Sequence, residues 1–301
     1  MRDGFDLDAY LAREAVPVRS ALERATAWIG ERVGPDVAGA VCHGVLSDGK
    51  RLRPILCVTA FRACGGRDGD AAYDLAASLE LIHAYSLMHD DLPCMDDAEL
   101  RRGRPTTHRA EGEDATLRAG AALIPAAALQ AWRAAEALGC APALAREVVA
   151  RLLEAAGGGG MVGGQWVDLD GEGRSLGCDE LDGLHRRKTG ALLTASLLVG
   201  GTAAGAPART LSALATYGRA IGLAFQITDD ILDATQEADV LGKNPSDAAL
   251  GKCTYVALYG LEEARRRAGA QVDAALGALA SSGLDAPALE ALARYVVDRR
   301  H

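Results

Sequence analysis

Asp90-Asp91-Leu92-Pro93-Cys94-Met95-Asp96-Asp97, followed closely by Arg101-Arg102, packs four carboxylates into eight residues. At that density the acids repel one another unless a cation is shared among them, and the simplest shared cation is a metal. Hard divalent cations take oxygen ligands, and Mg²⁺ prefers one or two carboxylates plus phosphate oxygens to an all-protein cage. The cluster therefore asks for a phosphorylated ligand. The run 81–89 before it reads as a buried helix, and Pro93 pushes Leu92 out of helical geometry. Asp90 and Asp91 thus fall at a helix C-terminus, where the partial negative charge makes acids costly without a cation. A solvated acidic turn is the competing reading for a cluster standing alone.

It does not stand alone. Gln226, Asp229, Asp230 and Asp233 follow the apolar run 221–225, and helical spacing puts Gln226, Asp229 and Asp233 on one face. Neither Asp229 nor Asp233 has a Lys or Arg four residues away, so a ligand or metal is expected to offset the repulsion. Two aspartate clusters, each ending an apolar helical run, suggest opposite walls of one diphosphate site.

Working outward, the 301 residues carry no Pro- or Ser-rich linker and are expected to form a single domain, 1–301. The net charge of −9, without a basic stripe, argues against nucleic acid and against an electrostatically held membrane. Seven cysteines show no C-x-x-C pairing, and their odd number suits a reducing cytoplasm. Residues 1–16 carry six charges and no apolar core of a signal peptide, and the uncharged run 189–208 is broken by Gly and Pro. A soluble, cytoplasmic protein is expected.

Alanine and leucine dominate, aromatics are 4%, and strand-type alternation is hard to find, so the fold is expected to be all-α. Helices are expected over 7–31, 36–46, 54–62, 70–91, 115–136, 143–156, 180–200, 209–235, 254–279 and 286–299, with loops where Gly, Pro and Asp gather. Gly157-Gly158-Gly159-Gly160 predicts a soft or broken helix just before Gln165 and Asp168, because each interior glycine costs about 0.8–1 kcal/mol against alanine.

Several basic and polar residues gain meaning beside the acids. Lys50, Arg51 and Arg53 are close enough in sequence to hold a phosphate, for which arginine's fork is suited. His83 shares a helix face with Ser86 and Asp90, whereas His89 reads as structural. Arg101 and Arg102, adjacent on one backbone, point different ways and can serve two diphosphates. Lys188, next to Thr189 inside an expected helix, would be costly facing the bundle interior unless an anion pairs with it. There is no Ser-His-Asp order and no reactive cysteine context, so the chemistry is expected to be driven by a leaving group.

These residues stand in ordered motifs: Gly49-Lys50-Arg51-Leu52-Arg53-Pro54, Asp90-Asp91-x4-Asp96, Leu100-Arg101-Arg102-Gly103, Gly164-Gln165, Lys188-Thr189-Gly190, Phe225-Gln226, Asp229-Asp230-x2-Asp233 and Gly251-Lys252-Cys253-Thr254-Tyr255. In them the chain resembles the trans-isoprenyl diphosphate synthases, or polyprenyl synthetases, of the bacterial farnesyl/geranylgeranyl type. The resemblance implies an orthogonal helical bundle around a central cavity, a homodimer, and about three Mg²⁺ ions held by Asp90, Asp91, Asp96, Asp229 and Asp233. It assigns Lys50, Arg53, His83 and Arg102 to isopentenyl diphosphate. Arg101, Lys188 and Thr189 go to the allylic diphosphate, Gln226 to substrate, and Lys243 and Lys252 to a cationic lid over the phosphates. It also implies that Tyr85 and Ser86 set chain length, with an aromatic five positions before the first aspartate accompanying a C15 product. The small Ser86, with Cys94, Met95 and Ala98, keeps geranylgeranyl diphosphate as the alternative. Ala98, Glu111 and Ala121 depart from the family pattern without removing a direct substrate ligand. A terpene cyclase would lack the Gly49–Pro54 motif and the second aspartate cluster, and a silent partner subunit would have lost acids or arginines.

Overall fold

The computed structural model describes residues 5–67, 69–171, 177–235 and 253–299. Helices α1 (Leu7–Gly30), α2 (Pro35–Val45), α3 (Leu52–Ala63) and α4 (Asp70–Asp90) lead to the first aspartates. After them come strands β1 (Leu100–Arg101) and β2 (Arg104–Pro105), then α5 (Thr107–Glu111), α6 (Glu113–Ala137), α7 (Pro142–Ala156) and α8 (Met161–Asp170). The chain continues through α9 (Cys178–His185), a π-helical turn (Arg186–Gly190), α10 (Ala191–Ala203) and α11 (Ala208–Thr235), which carries the second cluster. It closes with α12 (Tyr255–Tyr259), α13 (Leu261–Ser282) and α14 (Pro287–Asp298).

Local chemistry explains most of the boundaries. Asp6 caps α1 by accepting the Ala9 N–H at 2.9 Å, and proline opens α2, α7 and α14, where its missing N–H costs nothing. The four glycines 157–160 separate α7 from α8, as their propensity predicts. Two expected helices are interrupted. The segment 254–279 breaks at Gly260, whose φ of 78° only glycine adopts readily. The segment 180–200 passes through the π turn around Lys188.

The one departure from all-helix is small and falls in the site. β1 and β2 pair antiparallel, Leu100 opposite Pro105 and Arg101 opposite Arg104. Their turn places Arg102 (φ 54°) and Gly103 (φ 74°) both at positive φ, the signature of a tight two-residue hairpin.

The core is aliphatic and alanine-rich. Leu75, Leu79, Leu81 and Ile82 of α4 and Leu192, Leu193, Leu197 and Val199 of α10 are buried, so α4 and α10 run through the middle of the bundle. Each such side chain contributes about 1.5–3 kcal/mol by leaving water. α1 is tied in by the buried Glu14, which accepts from Arg62 of α3 at 2.8 Å and from the Tyr73 hydroxyl of α4 at 2.9 Å. No helix among the described residues is long and apolar enough to cross a membrane.

Two glycine contacts wedge the π turn between α8 and α11. A Cβ on Gly222 would stand 2.8 Å from the Gly190 Cα, and one on Gly164 would run into the backbone nitrogen of Lys188. Because the obstacle is backbone, it cannot rotate away. Gly164→Ala should therefore lower stability by about 1–3 kcal/mol, read as a fall in the thermal unfolding midpoint; an unchanged midpoint would mean that α8 does not press on the turn.

Candidate active site

The two tandem acid pairs are built alike. Adjacent helical residues project about 100° apart, so both members cannot face one point. At the end of α4, Asp91 turns inward and is buried, and Arg101 grips it with three hydrogen bonds of 2.5–2.9 Å. On α11 it is again the second acid, Asp230, that is buried, and it accepts the Tyr255 N–H at 2.7 Å. Asp90 and Asp229 are only partly buried. Asp91, expected among the metal ligands, has both of its oxygens engaged by Arg101.

The turn after α4 folds back on itself. The Asp96 N–H donates to the Asp90 carbonyl at 2.9 Å, and the Asp97 N–H to the Leu92 carbonyl at 3.1 Å. Asp96 thereby stands beside Asp90 despite six intervening peptide bonds. Burial pushes the Asp90 carboxyl up to about 6, Lys188 opposes that shift, and Asp96 adds to it.

Lys188 donates from its ammonium to Asp168 of α8. Burial works against its charge, and Asp168 and then Asp90 outweigh that effect, so its pKa is raised. Asp168 is the internal anion whose absence would have left Lys188 dependent on a ligand. Thr189, beside it in the π turn, is partly buried.

A second set of groups is cationic. Burial pulls Arg53 down to about 10, with Arg102 adding to the shift, and its Nε is buried without a hydrogen-bond partner. His83 is pushed well below its ordinary value by burial and by the guanidiniums of Arg53 and Arg102. Lys50 is lowered by burial and by Arg299, and its ammonium lies 5.8 Å from the centre of the Tyr295 ring. Arg51 does not belong to this set. Its backbone is left-handed (φ 50°), and its side chain pairs with the buried Glu80 at 2.6 Å and with the Val45 and Ser47 carbonyls. Arg102 donates to the Asp48 carbonyl, away from the Asp91 that Arg101 holds.

On α11, Gln226, Asp229 and Asp233 are partly buried. Asp229 has a cationic partner that local spacing does not reveal: Arg299, just after α14, donates to its Oδ1 at 2.8 Å and to the Phe225 carbonyl at 2.8 Å, and lies over the Phe225 ring. The expectation that only a ligand or metal offsets Asp229 is corrected accordingly. Gln165 of α8 belongs to the Gly164-Gln165 motif, and both polar atoms of its buried amide lack a hydrogen-bond partner. Lys243 and Lys252 lie outside the described residues.

Tyr85, the expected chain-length residue, is buried below Asp90, edge-on to His89 with ring centres 5.2 Å apart. The Ser86 hydroxyl donates to the His83 carbonyl at 2.9 Å.

His185, at the entry to the π turn, offers a test of this electrostatic picture. Burial pulls its pKa from 6.5 to about 4, against the opposing pull of Asp168. The unfolded chain takes up the proton near pH 6.5 and the folded one only near 4, so this contribution to stability is full above pH 6.5 and is lost as pH falls through that window. The loss is on the order of 3 kcal/mol. His185→Phe keeps an aromatic ring and removes the titration, so its unfolding midpoint should fall less steeply than the wild type's between pH 6.5 and 4; equal slopes would show that His185 is not held neutral.

The polyprenyl synthetase family model matches residues 36–289. The chain is 44% identical over 265 residues to the farnesyl diphosphate synthase of Escherichia coli, covering 85% of this chain and 87% of that one. It is 42% identical over 268 residues to the chloroplastic geranylfarnesyl diphosphate synthase of Leucosceptrum canum, covering 88% and 72%. The solved geranyltransferase of Legionella pneumophila superposes with a TM-score of 0.85 at 30% identity, over 98% of this chain and 97% of that one. By that match and those identities, the chain belongs to the polyprenyl synthetase family.

Proposed function

We propose that this chain is a metal-dependent short-chain trans-prenyltransferase, working as a single domain, that joins isopentenyl diphosphate to dimethylallyl and then geranyl diphosphate to give farnesyl diphosphate. The observation that carries this reading is the crowd of Lys50, Arg53, His83 and Arg102, whose charges are disfavoured by burial and by one another. Such a cluster favours a bound anion, and Asp229 stands close enough to act on both Lys50 and Arg53.

The family implies a divalent metal, and the donors fit one. Asp90, Asp96, Asp229 and Asp233 offer hard oxygens, and among the described residues no three acidic, histidine or cysteine side chains converge on one point. A cation here would complete its shell with diphosphate oxygens, as Mg²⁺ favours. When bound, about three Mg²⁺ ions would neutralise the departing allylic diphosphate.

The chain's own residues do the rest. Lys188, steadied by Asp168, and Arg101, anchored on Asp91, hold the allylic diphosphate where negative charge develops. The allylic C–O bond breaks with its electron pair leaving on the diphosphate. Lys50, Arg53, His83 and Arg102 fix isopentenyl diphosphate so that its double bond forms the new C–C bond to the allylic carbon. The proton lost in the last step goes to the released diphosphate. Gln226 and Thr189 line the reacting end. A homodimer follows from the resemblance and is supported by exposed apolar residues, among them Trp166 and Val162 of α8 and Leu117 of α6.

Tyr85 lies five residues before Asp90, about 7.5 Å along the helix, and its buried ring closes the path of the growing tail. Geranylgeranyl diphosphate is the second reading, favoured by the small Ser86 beside it. Purified protein given Mg²⁺, isopentenyl diphosphate and dimethylallyl diphosphate should yield mainly the C15 product. Asp90→Ala or Asp229→Ala should cut kcat/KM at least about a hundredfold; activity within tenfold of wild type would remove these acids from the metal site. Tyr85→Ala should lengthen the product to C20 or beyond with the first condensation nearly unchanged, whereas an unaltered product distribution would show that Tyr85 is not the floor.

A further inference from the structure

Thr254 and Tyr255 belong to the Gly251-Lys252-Cys253-Thr254-Tyr255 motif, and the proposed chemistry gives them no part. Thr254 caps α12 by accepting the Ala257 N–H at 3.1 Å, which starts the helix at Tyr255. Tyr255 is among the largest fully buried side chains among the described residues, and each of its chemical parts is committed to a different element. Its N–H donates to Asp230 Oδ2 of α11 at 2.7 Å. Its hydroxyl donates to Asp182 Oδ1 of α9. Its ring stacks on the His185 imidazole, 5.6 Å centre to centre and 23° from parallel. With Leu181, Leu223, Ile227, Ala264 and Ala268 it forms a small apolar cluster separate from the main core.

The elements joined this way are the ones whose separation matters. Asp230 adjoins Asp229, and His185 leads directly into the π turn that carries Lys188. Lys188 and Asp229 have to meet the same allylic diphosphate from different helices. We infer that Tyr255 is a positioning residue, which sets the placement of the Lys188 turn relative to the Asp229–Asp230 pair through its hydroxyl bond to Asp182. The inference rests on the function proposed above. A buried phenol needs a partner for its hydroxyl, and Asp182 is the partner that converts this need into a fixed distance between α9 and α11. A displacement of about 1 Å in a reacting geometry can cost a hundredfold in rate, so a single bond at this junction is enough to matter.

Tyr255→Phe keeps the ring stack and the N–H to Asp230 and removes only the hydroxyl. In steady-state assays of the full chain with Mg²⁺, it should impair kcat/KM for the allylic substrate about ten- to a hundredfold while KM for isopentenyl diphosphate stays within about twofold. Asp182→Asn retains an acceptor and should stay near wild type, Asp182→Ala should reproduce Tyr255→Phe, and the double variant should be no worse than either single one, as expected of two residues acting through one bond. Wild-type kinetics for Tyr255→Phe, equal losses for both substrates, or additive losses in the double variant would overturn the inference. Failure of the parent reading looks different: the wild-type chain itself would form no prenyl diphosphate.

Discussion

The site depends on how each tandem pair of acids is divided, one member buried in the fold and the other left more exposed. Two adjacent carboxylates cannot both be left facing one cavity, and in this chain the second of each pair is buried. Asp91 pairs with the Arg101 fork and Asp230 accepts the Tyr255 N–H, which leaves Asp90 and Asp229 as the less buried member of each pair. The anchors do more than absorb charge. Arg101 ties the β1–β2 hairpin to the end of α4, and Tyr255 ties α12 to α11, so burying an acid also fixes these elements in place. A charged pair buried with good geometry is costly to break, because removing one partner strands the other.

What remains is a site whose groups are individually uncomfortable. Asp90 is pushed toward its neutral form, mainly by burial, and Arg53 and Lys50 are pulled toward theirs. These shifts oppose each other in sign, as the proposed ligand, a diphosphate with its metal ions, would require of groups that hold both its charges. Proteins that satisfy their local rules elsewhere relax them at functional sites. The left-handed backbones of Arg51, Asp97 and Arg102 fall in this same region and are the only non-glycine residues at positive φ among those described. Arg102 uses that conformation to turn away from Arg101, which is how two neighbouring arginines come to serve different partners.

Much of this was legible in the sequence, because it is local. The helical spacing of apolar residues, the prolines opening α2, α7 and α14 and the four-glycine break depend on residues a few positions apart. So does the acid cluster that ends α4. The rest was hidden for physical reasons. Lys188 looked dependent on a ligand because Asp168 lies on another helix, and Asp229 looked uncompensated because Arg299 reaches it from 70 residues away. A two-residue strand such as Leu100–Arg101 is too short to show alternation, and a π turn has no propensity signal, being set by how α8 and α11 squeeze the chain at Gly164 and Gly222. Asp91 and Asp230 read like their neighbours, since only tertiary structure decides which member of a pair turns inward.

The central claim is that the acids and cations form one diphosphate site completed by divalent metal, and it can be measured without turnover. Calorimetric titration of inorganic pyrophosphate into the wild-type chain and Asp229→Ala, in Mg²⁺ and in metal-free buffer, isolates it from chemistry. Binding to the wild type should be tight in Mg²⁺ and weaken at least about tenfold both without metal and in Asp229→Ala. Pyrophosphate binding that is equally tight in metal-free buffer, or indifferent to the loss of Asp229, would contradict the account.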